Sequence, residues 1–189
     1  MSQLSVVYDA CVLYPAPLRS FLIYLAMTGL YRARWTNAIH EEWMKNVRKD
    51  YPDITRKQTE RIRDLMNQAV PDPLVTGYES RIPSIALPDA DDRHVLAAAI
   101  QCGADVIVTF NLRDFPREIL RPYGIVALHP DQFIMQQWGK SPELACKAAK
   151  QQRASLKNPP LTVDEYLASL QRQGLAQTVA RLREHADAI

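Results

Sequence analysis

Short apolar runs alternate with longer amphipathic stretches along the first two thirds of the chain, the pattern of strands feeding helices. Leu4 to Tyr8 (LSVVY) reads as a short buried strand, with Asp9 at its C-terminal end. Pro15 and Pro17 can open a helix, because proline is tolerated in a first helical turn. Leu18, Phe21, Leu22, Leu25 and Leu30 then recur at helical spacing. Arg34–Trp35 predicts a short second strand, and Thr36 or Asn37 the cap of a helix running through Ile39, Trp43 and Val47. Residues 55–69 predict another helix, with Thr55 as its cap. Pro71, Pro73, Pro83 and Pro88 make the following stretch mostly loop, with one strand expected near Ile82 to Ile85.

Beyond Pro88 an acidic turn leads into a helix from Asp91 to Gln101, closed by Cys102–Gly103, with Gly103 suited to the left-handed position after a helix. Asp105 to Thr109 (DVIVT) is the clearest buried strand, and Asn111 to Asp114 is the loop at its C-terminal end. Residues 116–123 predict a short helix and Ile125 to Leu128 a last strand. Strands separated by helices imply an α/β fold with a mostly parallel sheet covered on both faces. After about His129 the strand pattern stops. Residues 130–139, 141–156, 162–173 and 174–187 read as helices, with Pro159–Pro160 separating the second from the third and Thr162 with Glu165 forming a capping box.

Composition narrows the class without naming a partner. The chain has 189 residues, 47% apolar and 23% charged, which suits one ordinary globular domain or one with an appendage. A net charge of +2 identifies no partner. Cys11, Cys102 and Cys146 lack any CxxC spacing and read as free thiols, so a reducing, cytoplasmic setting is expected. The N-terminus shows no secretory signal pattern, and the apolar stretch Phe21 to Tyr31 is too short to span a bilayer, so no membrane association is expected.

The candidate chemistry lies in acids at strand ends and helix starts. In open α/β sheets ligands bind beyond the carboxyl ends of the strands. Asp9 follows the first strand, Asn111 and Asp114 follow the DVIVT strand, and Asp92 opens the Ala-rich helix, so all can face one crevice. Taken singly, Asp89, Asp91 or Asp92 has a plainer explanation as a cap in a first helical turn, and Asp114 as the cap of the helix near Pro116. Asp9 is harder to explain that way, because it follows a buried strand and no basic residue precedes Arg19. Glu42 adjoins the probable core residue Trp43 and so lies near the edge of the buried face, whereas Glu41 is expected to point outward. Carboxylates gathered from distant segments repel one another, and a divalent cation is the usual remedy. Hard oxygen ligands without a Cys/His pattern favour Mg²⁺ or Mn²⁺, whose chemistry is phosphoryl transfer, including nucleic-acid cleavage.

The runs VVYDACVLYPAPLR, TNAIHEEW and DADDRHVLAAAIQCGADVIVTFNLRDFP resemble the PIN-domain ribonucleases, and among them the VapC-type toxins of type II toxin–antitoxin pairs. The likeness covers residue 4 to about 133. It implies a PIN-like three-layer α/β/α domain over residues 1–133 and a helical C-terminal extension over residues 134–189. The resemblance also implies an Mg²⁺- or Mn²⁺-dependent endoribonuclease with Asp9, Glu42, Asp92 and Asp114 as catalytic acids. Asp9, Asp92 and Asp114 would hold the metal, and Glu42 would help hold a second ion or orient the attacking water. Asn111 stands where relatives often carry Asp, and Thr109 matches a polar position beside the acids. Asp91 and Asp92 are adjacent; Val95 and Leu96, three and four positions past Asp92, favour Asp92 as the inward-facing acid.

An RNA substrate calls for basic residues along the approach. Lys45, Arg48, Lys49, Arg56, Lys57, Arg61 and Arg63 in one segment, and Lys147, Lys150, Arg153 and Lys157 in another, are candidates, with a solvated helix face as the plainer reading of each. Tyr14 and Tyr51 are candidate stacking partners for bases. The likeness further implies a cognate antitoxin protein whose C-terminal segment covers the acidic groove, and commonly a homodimer. Residues 18–30 offer an apolar face for such contacts or simply for core packing.

Rival activities fit less well. A haloacid-dehalogenase nucleophile wants a second Asp two residues after the first, where this chain has Cys11. A receiver-like signalling domain has its acids in a different order, and no glycine cluster of the dinucleotide-binding kind follows the first strand. The serious alternative is a catalytically silent PIN-like module that binds RNA or protein.

Overall fold

A computed structural model describes residues 3–189. It carries four strands, β1 (Ser5–Tyr8), β2 (Arg32–Arg34), β3 (Val106–Val108) and β4 (Val126–Leu128), all parallel, in the order β2-β1-β3-β4. The helices are α1 (Ala10–Leu13), α2 (Ala16–Met27), α3 (Asn37–Asp50), α4 (Arg56–Ala69), α5 (Arg93–Gln101), α6 (Arg117–Leu120), α7 (Pro130–Lys140), α8 (Pro142–Ser155), α9 (Val163–Gln171) and α10 (Ala176–Glu184). The architecture is the three-layer α/β/α arrangement with a helical C-terminus. Val6, Val7, Ile107 and Val108 are wholly buried, as strands covered on both faces require.

Two compact units make up the chain. One comprises the segment ending at Tyr14 together with Tyr31–His129; the other comprises Pro15–Leu30 and Pro130–Ile189. In the first unit the chain steps from β1 to β2 on one side, then to β3 and β4 on the other. That reversal puts a topological switch point at the carboxyl ends of β1 and β3, the place where open α/β sheets form a crevice. In the second unit α2 packs along α8, burying Leu18, Phe21, Leu22 and Leu25 completely. Its apolar face is thus core.

Most element boundaries follow from local chemistry. Thr36 caps α3 by accepting the Ile39 N–H, and Thr55 and Thr162 form full capping boxes on α4 and α9. One expectation fails. The segment around Ile82 to Ile85 is a 3₁₀ helix (Glu79–Ser84), not a strand. Pro83 lacks an N–H for a ladder, and the Ile85 N–H turns back to the Ile82 carbonyl instead. The second strand also ends one residue early. Trp35 pairs with the loop beyond α4, donating its N–H to Pro73 O at 2.9 Å and accepting from Val75 at 2.8 Å.

A buried polar chain fastens α3 to α4. Trp43 Nε1–H donates to His40 Nδ1 at 3.0 Å, so the imidazole proton resides on Nε2, which donates to Asn67 Oδ1 at 3.0 Å. Trp35 Nε1–H reaches the same oxygen at 2.7 Å. His40 is wholly buried, and this burial depresses its pKa to about 4. Among the described residues no helix is long and apolar enough to cross a membrane.

Candidate active site

Asp9 leaves the end of β1 and is 2% exposed. Its backbone N–H bonds the Val108 carbonyl at 3.1 Å, tying it to the end of β3. Thr109, wholly buried, donates its hydroxyl to Asp9 Oδ2 at 2.7 Å, and the Cys11 thiol donates to the same oxygen at 3.2 Å. The Phe110 N–H bonds Cys11 Sγ at 3.3 Å and the Asn111 N–H bonds Thr109 Oγ1 at 2.9 Å. The loops after β1 and β3 are thereby joined around one carboxylate. Burial raises the Asp9 pKa, the Thr109 and Cys11 donors oppose that rise, and the charge of Glu42 adds to it. Burial and the neighbouring Asp9 charge push the Cys11 thiol up to about 12, so it stays a protonated donor and is no nucleophile.

Asp92 precedes α5. Val95, Leu96, Ala97, Ala98 and Ala99 are wholly buried, and the small alanines let this helix pack against β1 and β3. Asp92 holds helical dihedrals (φ −83°, ψ −5°) and makes no side-chain cap bond. Capping needs an extended residue at that position, so the capping explanation does not hold for Asp92. Its carboxyl has a pKa pushed up to about 7, first by burial and then by Asp9, Asp89, Asp114 and Glu42. Asp91 is exposed, and its N–H goes to Asp89 Oδ1 at 2.9 Å in a local turn. Of the two adjacent acids, Asp92 is the one that feels Asp9, Asp114 and Glu42.

Asp114 closes a 3₁₀ turn (Leu112–Asp114) after β3 and is half-buried. It does not cap α6, whose first flanking residue is Pro116 with no side-chain bond. Glu42 lies on α3 with its side chain 44% exposed, and its Oε2 is 3.4 Å from His94 Nε2. Glu41 is also exposed and acts electrostatically on Arg56 instead. Among the described residues no Lys or Arg forms an ion pair with Asp9, Asp92, Asp114 or Glu42. Also among them, no three His, Cys, Asp or Glu side chains converge closely enough to ring a metal ion. The four acids therefore share one electrostatic environment at the switch point without forming a closed coordination shell.

His94 and Cys11 were not singled out as parts of this site by the sequence. His94 had a visible signal, a lone histidine two residues beyond Asp92. Cys11 had none, since a thiol donating to a carboxylate looks in sequence like any small core residue.

The basic candidates divide. Arg48 bonds Thr59, Arg56 pairs with Glu60 and Arg63 with Asp64, while Lys45, Lys49, Lys57 and Arg61 are exposed without ion pairs among the described residues. In the second unit Arg153 is engaged by the carbonyls of Leu161 and Ile189, leaving Lys147, Lys150 and Lys157 exposed. The Tyr14 hydroxyl donates to Asp50 at 2.7 Å, and Tyr51 is 56% exposed.

His40 and Asp92 oppose each other in pH. His40 titrates near 6.5 when unfolded and about 4 when folded, so its contribution is complete above 6.5 and is lost as pH falls towards 4. That amounts to about 3 kcal/mol, at about 1.4 kcal/mol per pH unit. Asp92, ordinarily near 3.8 and here about 7, does the reverse, its ionisation destabilising the fold as pH rises from about 4 to about 7. Asp9, whose pKa burial also raises, acts in the same sense as Asp92, so melting temperature in EDTA is expected to show no net rise over that window in the wild type. Asp92→Asn should reveal a rise with pH, and His40→Gln should leave a fall. A steep wild-type rise unaffected by Asp92→Asn would contradict the opposition.

The family model described as PIN domain matches residues 5–113, and the model described as VapC50 C-terminal domain matches residues 130–184. A Mycobacterium tuberculosis (strain ATCC 25618 / H37Rv) protein named "Putative ribonuclease VapC50" is 41% identical over 92 residues, which cover 49% of this chain and 54% of that protein. The chain thus spans about half the length of the curated relative it matches. No solved structure matches it significantly.

Proposed function

The chain belongs to the PIN-domain family, and from that premise we propose that it is a metal-dependent endoribonuclease, the toxin of a toxin–antitoxin pair. The observation that carries the reading is the electrostatic coupling of Asp92 to Asp9, Asp114 and Glu42, acids from four separate segments, with no Lys or Arg ion-paired to them among the described residues. Under this reading residues 1–133 are the nuclease domain and residues 134–189 its helical extension. RNA is the substrate, a cognate antitoxin protein the partner, a homodimer the assembly and the cytoplasm the setting.

The donor chemistry fits a hard divalent cation. Asp9, Asp92 and Asp114 offer only carboxylate oxygens, and burial without a counter-charge makes a positive ion favourable there. These three residues would hold Mg²⁺ or Mn²⁺, and such an ion supplies Lewis-acid stabilisation of charge on a phosphodiester oxygen. Thr109 and Cys11, both donating to Asp9 Oδ2, fix that carboxylate in one orientation. Glu42, the most exposed of the four acids, is suited to orienting an attacking water. No covalent enzyme intermediate is needed, and burial beside Asp9 disfavours a Cys11 thiolate.

The test is purified, partner-free protein incubated with total cellular RNA and Mg²⁺ or Mn²⁺, against EDTA and against folded Asp92→Asn. Discrete fragments that vanish in both controls are expected. In parallel, millimolar Mn²⁺ should raise the melting temperature of the wild type by several degrees and that of Asp92→Asn far less, since a ligand stabilises in proportion to its binding. A folded protein that neither cleaves nor gains stability from Mn²⁺ would return the reading to a silent RNA- or protein-binding module.

A further inference from the structure

We infer that His94 is a positioning residue that holds the Glu42 carboxylate at the acidic cluster; the inference rests on the nuclease reading above. Glu42 has three rotatable side-chain bonds, lies 44% exposed on α3, and among the described residues meets one ion-pair partner, His94, whose Nε2 lies 3.4 Å away and is a cation when the imidazole is protonated. Free, such a side chain samples many rotamers, and ordering it costs conformational entropy. His94 has two rotatable bonds and is only 17% exposed, in the first turn of α5. Both backbones are anchored, α5 by the wholly buried Val95 and Leu96 and α3 by the wholly buried Trp43. The imidazole is therefore the fixed partner and the glutamate the one restrained.

The location has no better structural explanation. A histidine gains nothing from the helix dipole in a first turn, where positive character is unfavourable. A side chain present only to fill space would not bury an unused nitrogen, yet His94 Nδ1 is buried and makes no hydrogen bond. The group that His94 does meet is Glu42, whose charge acts on both Asp9 and Asp92. Where Glu42 points thus contributes to the field at the cluster, beside the larger effect of burial. A water-orienting carboxylate must also be held to within a fraction of an ångström to be effective.

A double-mutant cycle tests this, with kcat and KM measured on one RNA oligonucleotide at saturating Mn²⁺ for wild type, His94→Ala, Glu42→Gln and the double variant. His94→Ala should lower kcat about 10- to 100-fold at nearly constant KM. It should add little in the Glu42→Gln background, because residues acting as a unit are not additive. His94→Gln, whose amide can donate to Glu42, should recover most of the loss. Equal losses from His94→Ala in both backgrounds would overturn the inference. If His94→Ala does not fold, His94→Gln is compared with His94→Leu: activity in the first alone supports the role, and equal activity overturns it. Melting temperatures of the same cycle without metal give a reading independent of turnover; non-additive shifts are expected, and additive ones count against a direct contact. A wild type that neither cleaves RNA nor binds Mn²⁺ would instead mark failure of the nuclease reading, visible before any variant is made.

Discussion

Asp9→Asn is expected to lower RNA cleavage by about 10³-fold or more while leaving the metal-free protein at least as stable as the wild type. The activity loss follows from removing a charged oxygen ligand at the centre of the cluster. The retained stability follows from what the wild type tolerates there. Asp9 is 2% exposed, its ionised form is disfavoured first by burial, and among the described residues no Lys or Arg forms an ion pair with it. Asparagine keeps the shape, keeps an oxygen to accept the Thr109 hydroxyl, and removes the buried charge. A site whose residues oppose folding but serve a bound cation should show this opposition of stability and activity. Cleavage assays and thermal melts in EDTA on the same preparation measure both halves. A variant that still cleaves within a few-fold of wild type would remove Asp9 from the site. One that unfolds would make it a structural residue.

Much of this arrangement is legible in the sequence because it depends on local pattern. LSVVY and DVIVT are mostly apolar runs centred on the wholly buried Val6, Val7, Ile107 and Val108, so two central strands can be read directly, and a parallel sheet then places Asp9 and Asp114 on one edge. Thr36, Thr55 and Thr162 announce their helices because a cap is a contact three residues long. What stays hidden is contact between distant residues and fine dihedral choice. Asp92 has the sequence of a cap but the backbone of a helix, a difference no composition encodes. Thr109 and Asp9 lie 100 residues apart and meet only because β1 and β3 are neighbours. Glu42 and His94 meet because α3 and α5 bring them together, and neither helix pattern records it. Around Ile82, two isoleucines three positions apart suggest a short strand, and Pro83 decides for a 3₁₀ turn.

The same blindness to distant contacts concealed a buried structural carboxylate in the second unit. Asp131, in the first turn of α7, is 5% exposed. Its Oδ2 accepts the Gln177 N–H at 2.9 Å, and its Oδ1 accepts the Thr178 N–H at 2.9 Å and the Thr178 hydroxyl at 2.7 Å. These N–H groups belong to the first turn of α10, whose own flanking residue, Leu175, has no side chain able to cap it. A residue 46 positions away thus does the work of a local cap, and a full negative charge at a helix N-terminus adds to it. Asp131→Ala leaves the Thr178 N–H and hydroxyl without that acceptor in a buried place and the Gln177 N–H in a partly buried one, and should destabilise the second unit by about 3 kcal/mol. Asp131→Asn should cost about half as much, because one amide oxygen still accepts at Thr178 while its NH₂ group faces the Gln177 donor. Trp138 on α7 is the one tryptophan in this unit and stacks edge-on with His185 beyond α10, so its fluorescence during urea unfolding reports the loss. A shift below about 1 kcal/mol for Asp131→Ala, less than one charged hydrogen bond is worth, would mean that α10 is held by its apolar face alone, through Val179 and Leu182.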